Sequence, residues 1–448
     1  MPVMESQTPK IIVVGAGPVG LSLGLGLAQN GFRVQLVEAG PDPRSQTGPR
    51  PARSTALMPL SQETLARLSV WERVADKGAP LHQLRLIDDQ ADRWTNPVIE
   101  VFSAEEITDT PFGHNVVNAD LVDALLERAA EWGEAALELL FDAPVTGWAP
   151  GQVTLGDGVV LEADLILDAA GRRSPVPALA GITMQDYRPD QIALVCQIEH
   201  SIDHAGISTE FHRREGPLTT VPMPATAAGQ PQSAIVWVHR PARAEELRAL
   251  DDDTFARALQ SALRGVLGEI TSLRARGGFE VGTQVAERFD GPQLALVGET
   301  AHVMPPIGAQ GLNTSLADVA VLLSLLDHPS RLQDPDMLRS YSARRRGDVI
   351  TRLTATHFLN QAIQNHRFGL DHARRGALKS LGWLRPYAPW IDARRHAPFW
   401  SRLIDYEQRH RDGFCHRRSP GHSGGGPRRR KQGARSGRRT GRRWPSLH

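Results

Sequence analysis

Gly15-Ala16-Gly17-Pro18-Val19-Gly20 is a G-x-G-x-x-G run, and Glu38 stands 23 positions after Gly15. Those residue types at that spacing suit dinucleotide binding. Gly15 permits a tight turn, Gly17 lets the backbone approach a pyrophosphate, and Gly20 lets helix and strand pack closely. A helix starting at Pro18 adds N–H groups and the positive end of its dipole. Glu38 is placed to accept hydrogen bonds from a ribose. The run alone is a weak signal, but its setting is specific. An apolar strand, Lys10–Gly15, precedes it, a helix, Pro18–Asn30, follows, and a second strand, Phe32–Glu38, ends in the acid. That is the opening βαβ of a doubly wound fold.

A second constellation separates FAD from NAD. Leu294 to Val297 reads as a buried strand and leads into Gly298-Glu299-Thr300-Ala301-His302, then Pro305-Pro306-Ile307-Gly308-Ala309-Gln310-Gly311-Leu312-Asn313 and a helix. This block resembles the para-hydroxybenzoate-hydroxylase-like flavoprotein monooxygenases, and among them most resembles the ubiquinone-biosynthesis hydroxylases. Other segments agree: Arg53-Ser54-Thr55-Ala56-Leu57, Asn118, Pro217–Pro222, Ser233–Trp237 and Arg344-Arg345-Arg346-Gly347-Asp348. The resemblance covers about residues 10 to 400.

The resemblance implies FAD as cofactor, with Glu299 by the ribityl and pyrophosphate region and Arg53 near the phosphates. It also implies a polar flavin contact at Asn118, and Pro306, Gly311, Leu312 and Asn313 at a helix N-terminus facing the flavin ring. N–H groups there would stabilise negative charge on reduced flavin. Gly171 joins the set as a turn near the adenosine. Two positions depart from the pattern: Ala170 stands where an Asp is usual, and Glu299 where Asp is more frequent. The first puts the motif's NAD(P)H-linked role in doubt; the second keeps the charge.

The fold these residues need is α/β, with a Rossmann-like doubly wound FAD-binding domain, an interleaved β-sheet substrate domain and a C-terminal helical region. The expected domains are 8–180 with 281–330 for FAD, and 181–280 for substrate, joined by part of 75–115. Helices are expected over 331–412, and a disordered basic tail over 413–448. Ser61–Leu68 reads as a helix capped by Ser61, Ala119–Trp132 as an amphipathic helix, Ile192–Ile198 and Ala234–His239 as alternating strands, and Asp253–Val266 as a helix.

Composition narrows the function. The chain's net charge is +1, yet from His416 onward there are eleven Lys/Arg and no Asp/Glu, so the body carries −10. An acidic body argues against a nucleic-acid enzyme. Cys196 and Cys415 are too far apart for a CxxC pair or a thiolate cluster, and Cys196 reads as a small buried hydrophobe. With one dinucleotide fingerprint and no redox cysteines, a disulfide reductase does not fit. His200 and His204 fall on strand and loop, so no metal is expected. His302 is a weak candidate for a general base, better suited to shaping its loop or touching flavin. The chemistry is carried by the cofactor.

These readings point to an FAD-dependent monooxygenase that inserts oxygen into an aromatic ring. The resemblance implies a polyprenylphenol of ubiquinone biosynthesis as substrate, molecular oxygen as co-substrate, and NAD(P)H or a protein electron donor as transient reductant. A hydrophobic substrate implies peripheral contact with a membrane or a biosynthetic complex, at the inner face of the membrane on the cytoplasmic side. Three rivals remain open: a hydroxylase of a small soluble aromatic, an FAD-dependent isoprenoid reductase or dehydrogenase, and a flavin-binding assembly subunit without turnover.

Overall fold

Ile11, Ile12, Val13 and Val14 show no polar alternation because both faces of their strand are covered, as in parallel sheets generally. The computed structural model describes residues 8–48, 53–88, 98–106, 109–188, 190–213, 215–305 and 309–364, with side chains to residue 356. The described residues belong to one compact unit. The basic tail, the helices expected beyond 364 and Pro306 lie outside them.

In chain order, β1 (Lys10–Val14), α1 (Pro18–Gln29) and β2 (Arg33–Val37) lead to β3 (Ser54–Leu57), α2 (Pro59–Arg67), α3 (Trp71–Val74) and β4 (Ala79–Leu81). Next come β5 (Gln83–Asp88), β6 (Val98–Ser103), β7 (Gly113–Val117), α4 (Asn118–Ala129) and β8 (Leu137–Leu140). A meander of β9 (Val145–Ala149), β10 (Gln152–Leu155) and β11 (Val160–Glu162) precedes β12 (Leu165–Asp168) and α5 (Val176–Leu179). Then follow β13 (Met184–Tyr187), β14 (Ile192–His200), β15 (Ile207–His212), β16 (Leu218–Met223), β17 (Gln232–His239), α6 (Pro241–Arg248) and α7 (Asp252–Leu263). Last are β18 (Ile270–Glu280), β19 (Thr283–Ala286), β20 (Asp290–Gly291), β21 (Leu294–Leu296), β22 (His302–Val303), α8 (Gln310–Leu325) and α9 (Met337–Gln364).

Two large sheets organise these elements. The first has the order β20-β21-β12-β1-β2-β8 and is parallel except at its β20 edge. Its core draws Leu21, Leu23 and Leu25 from α1, Leu121 and Leu125 from α4, and Leu316 and Val319 from α8. The second sheet has the order β18-β14-β17-β16-β15-β5-β6, so β5 pairs with β15 more than a hundred positions later and carries β6 with it at the edge. Its own core lies under α6 and α7.

Local chemistry explains the element ends. Asp251 caps α7 by accepting from the Thr254 N–H at 2.8 Å, and Arg264 at φ 49° with Gly265 at φ 77° stops it. One expected start is corrected. The helix placed from Ser61 begins at Pro59, whose fixed φ suits the first helical position, and Ser61 is buried in the first turn instead of capping it. Its hydroxyl donates to Asn313 Oδ1 at 2.7 Å.

Candidate functional site

The glycine loop sits at the carboxyl end of β1, between β2 and β12 in the sheet. Gly15 has φ +100°, and a Cβ there would lie 2.7 Å from Ala169 O and from Ala170 Cα. A Cβ on Gly20 would lie 1.8 Å from Gly15 O, so α1 can start here only on a glycine. Gly17 differs: a Cβ there would meet nothing within 4 Å, which leaves the loop's outer face open to a ligand. Neither α1 nor α8 has a side-chain cap, so their first N–H groups are not claimed by a capping side chain.

Glu38 is held toward this loop. Its Oε2 accepts from Ala16 N–H at 2.6 Å and its Oε1 from Gly40 N–H at 2.9 Å. A carboxylate has about four lone-pair sites, so both oxygens keep capacity for ribose hydroxyls. Gly171, at φ +80°, donates its N–H to Thr300 Oγ1 at 2.9 Å and ties the β12 turn to the β21 turn. Asp168 is fully buried behind them, accepting from Ala170 N–H and from Ser174 Oγ. Burial raises its carboxyl to about 7, against the lowering effect of those two bonds.

Asn313 is the best-fixed residue of the second half. Its Oδ1 accepts from Met58 N–H at 2.8 Å and from Ser61 Oγ at 2.7 Å, while Nδ2 donates to Ala56 O and Ala309 O, both at 2.7 Å. All four amide bonds are used, so the Asn313 side chain fastens α8 to β3 and α2 and can offer a ligand only its backbone. Asn118 Oδ1 accepts from Thr55 Oγ1 at 2.8 Å, and the Asn118 N–H donates to the carbonyl of the exposed Arg53. Glu299 is partly exposed beyond β21, Leu312 packs against the main core, and a Cβ on Gly311 would meet nothing within 4 Å.

A model of the FAD binding domain family matches residues 8–356. The chain belongs to that FAD-binding family. Its cofactor is FAD, and the open face at Gly17, the uncapped α1 and the restrained Glu38 fit that group. This flavoprotein is 30% identical over 387 residues to ubiquinone hydroxylase UbiL of Rhodospirillum rubrum, covering 84% of this chain and 87% of that protein. It is 28% identical to the 3-demethoxyubiquinol 3-hydroxylase of Escherichia coli, covering 77% and 87%. Among solved structures it resembles p-nitrophenol 4-monooxygenase PnpA of Pseudomonas putida, with TM-score 0.68, 18% identity and 90% and 98% coverage. PqsL of Pseudomonas aeruginosa gives TM-score 0.67 at 22% identity, with 83% and 100% coverage. These likenesses support the fold.

Behind the flavoprotein's α8 lies a charged cluster that sequence reasoning met only in part. Asp318, fully buried, accepts from Gly298 N–H at 2.9 Å, from His302 Nε2 at 2.7 Å and from Arg345 Nε at 2.6 Å. Arg345 also donates to Asp348 and to Thr314 O, and Asp348 accepts from Arg352. Burial alone pushes the Asp318 carboxyl up, but His302 and Arg345 more than reverse it and hold it below the ordinary range. Burial lowers Arg345 while Asp318 and Asp348 raise it, and the net direction is up. The His302 ring is fully buried on Asp318 and its Nδ1 is enclosed without a partner, an arrangement that suits the shaping of the β21–α8 connection expected of it. Asp318 was legible as an acid amid the apolar run Leu316–Leu325, a pattern that calls for a buried partner.

A small sheet, β3-β7-β4, links α8 to the seven-stranded sheet beside this site. Asn313 donates to Ala56 O, Ala56 lies opposite Asn115 across the β3–β7 pair, and buried Asn115 donates Nδ2–H to Pro222 O of β16 at 2.8 Å. Asn115 was absent from the sequence candidates. Cys196, as expected, is buried, and burial pushes its thiol up to about 12.

Proposed function

We propose that this flavoprotein hydroxylates the aromatic ring of a polyprenylphenol intermediate of ubiquinone biosynthesis, with molecular oxygen as co-substrate and NAD(P)H or a protein donor as reductant. The observation that carries this reading is the similarity to ubiquinone hydroxylase UbiL over 84% of the chain, alongside a family match over residues 8–356 that takes in both large sheets and the FAD loop. When bound, FAD supplies the activation of oxygen.

The chain's own residues bind and orient. Gly15, Gly17, Pro18 and Gly20 shape the pyrophosphate cradle, Glu38 takes the ribose, and Arg53, Asn118, Gly171, Glu299 and Pro306 border the cofactor. The N–H groups of Gly311, Leu312 and Asn313 at the start of α8 favour negative charge near the flavin ring. Holding ring and cofactor in line and excluding water are the remaining tasks of the protein.

Among the described residues no helix is long and apolar enough to cross a membrane. A polyprenyl substrate would therefore be met by peripheral contact with the membrane's inner face or within a biosynthetic complex. The test is a labelled-oxygen experiment with purified protein, FAD, a reductant and a prenylated phenol. Label from oxygen gas is expected in the product hydroxyl, and none from water. A deletion strain is expected to accumulate a prenylated phenol lacking one ring oxygen. Normal ubiquinone in a strain with no redundant hydroxylase refutes the substrate assignment.

A further inference from the structure

The seven-stranded sheet has two unlike faces. Leu194, Cys196, Phe211, Leu218, Ile235 and Trp237 are buried under α6 and α7. Alternate side chains of the same strands project from the opposite face. There a cross-strand row runs Leu86, Glu210, Thr219, Val236, Val195 through the register of β5, β15, β16, β17 and β14. Every member of that row is partly exposed, whereas the residues facing α6 and α7 at the same level are buried. Three of its five members are apolar, so this half-open strip in mid-sheet is a surface on which an apolar guest can pack.

Glu210 is the charged member of the row. Its side chain is 12% exposed, with Oε1 3.0 Å from Nε2 of His212, which is 4% exposed. An ionised carboxylate set in such a strip needs donors to offset its lost hydration. His212 supplies one, at Oε1. Asp88 lies across from His212 and Glu100 across from Leu86 on the same face, and both are acids; the Arg213 guanidinium stacks instead on Phe211, on the helix-covered side. Among the described residues no donor stands on Glu210 Oε2, which leaves that oxygen to a donor that enters with the guest.

We propose that Glu210, oriented by His212, accepts the hydrogen bond of the substrate's phenolic hydroxyl, while Leu86, Val195 and Val236 carry the apolar body of the ring. The phenol in this assignment rests on the proposed function. Polarising the O–H bond toward a carboxylate pushes electron density into the ring, which favours attack of ring carbon on an electrophilic oxygen. The contact also selects phenols over their ethers, since an ether brings no donor to the buried carboxylate.

The test uses the full-length FAD-loaded protein with 4-hexylphenol and its methyl ether, each titrated by the change in flavin absorbance. The parent should bind the phenol roughly tenfold to a hundredfold more tightly than the ether. Glu210→Leu should bring that ratio to about one with FAD content unchanged, and Glu210→Gln should fall between. A parent without preference, an unchanged ratio in Glu210→Leu, or equal losses for both probes overturns the proposal. Should Glu210→Leu fail to hold FAD, Glu210→Gln decides, and an undiminished ratio there overturns it. The ratio needs no turnover, so absence of labelled-oxygen incorporation would refute the hydroxylase reading without deciding the role of Glu210.

Discussion

Replacing Asp318 by Asn should destabilise the protein by about 3–5 kcal/mol, the cost of breaking a buried ion pair by removing one of its charges. The carboxylate accepts from three donors, Gly298 N–H, His302 and Arg345. An amide keeps one acceptor oxygen and turns an NH2 toward the remaining donors, and burial keeps water from relieving the clash. At about 2.1 cal/mol/K per residue, the unfolding entropy of a unit of this size is roughly 0.8 kcal/mol/K. The expected drop in Tm is therefore about 4–6 °C. Circular dichroism at one scan rate and a fixed excess of FAD measures it, since a protein of this size can unfold irreversibly. Asp318 is held below the ordinary carboxylate range in the fold, so its contribution is full above the unfolded value near 4 and is lost as pH falls through the lower folded value. The variant should lose that acid limb. Adding Arg345→Met removes a buried guanidinium left with only Asp348 to balance it, and should recover part of the loss. A shift under about 1 °C for Asp318→Asn, or a double variant no more stable than the single one, refutes the reasoning.

Three further outcomes follow from the same structure. Gly20→Ala should fail to fold, because its Cβ would enter the Gly15 carbonyl, whereas Gly17→Ala should fold with a parent-like Tm at low FAD and bind FAD at least tenfold more weakly in a fluorescence titration. Equal effects at the two positions would contradict the division of roles. Asp168, raised to about 7 by burial, keeps a proton between about pH 4 and 7 that the unfolded chain has released, so stability should fall as pH rises through that window. Urea midpoints of Asp168→Asn should lack this decline and exceed the parent's above pH 7; parallel curves would refute it. Asn115→Ala removes a buried hydrogen bond between β7 and β16, worth about 1–3 kcal/mol, and should speed hydrogen exchange in β16 while leaving β1 unchanged. Uniform exchange in both strands would show that no such bridge operates.

The sequence by itself determined the local parts of this protein. Gly15, Gly17 and Gly20 could be given separate tasks because each task follows from backbone sterics within a few residues, and the structure keeps them apart in the same way. Glu38 was placed by the length of one helix and one strand, and the alternation of Ile192–Ile198 and Ala234–His239 was readable from period two. Ser61 misled for an equally local reason: Ser before Gln62 and Glu63 looks like a cap, and nothing nearby reveals that its hydroxyl serves Asn313, 252 positions away. The tertiary structure alone decided that Asn313 spends its amide on protein, that His302 is locked to Asp318 and Arg345, and that Asn115 joins β7 to β16. It also decided which side of the seven-stranded sheet stays open and puts Glu210 on that side. Periodicity gives a strand two faces but does not say which one helices will cover; that depends on where α6 and α7 pack after the chain has crossed the whole sheet.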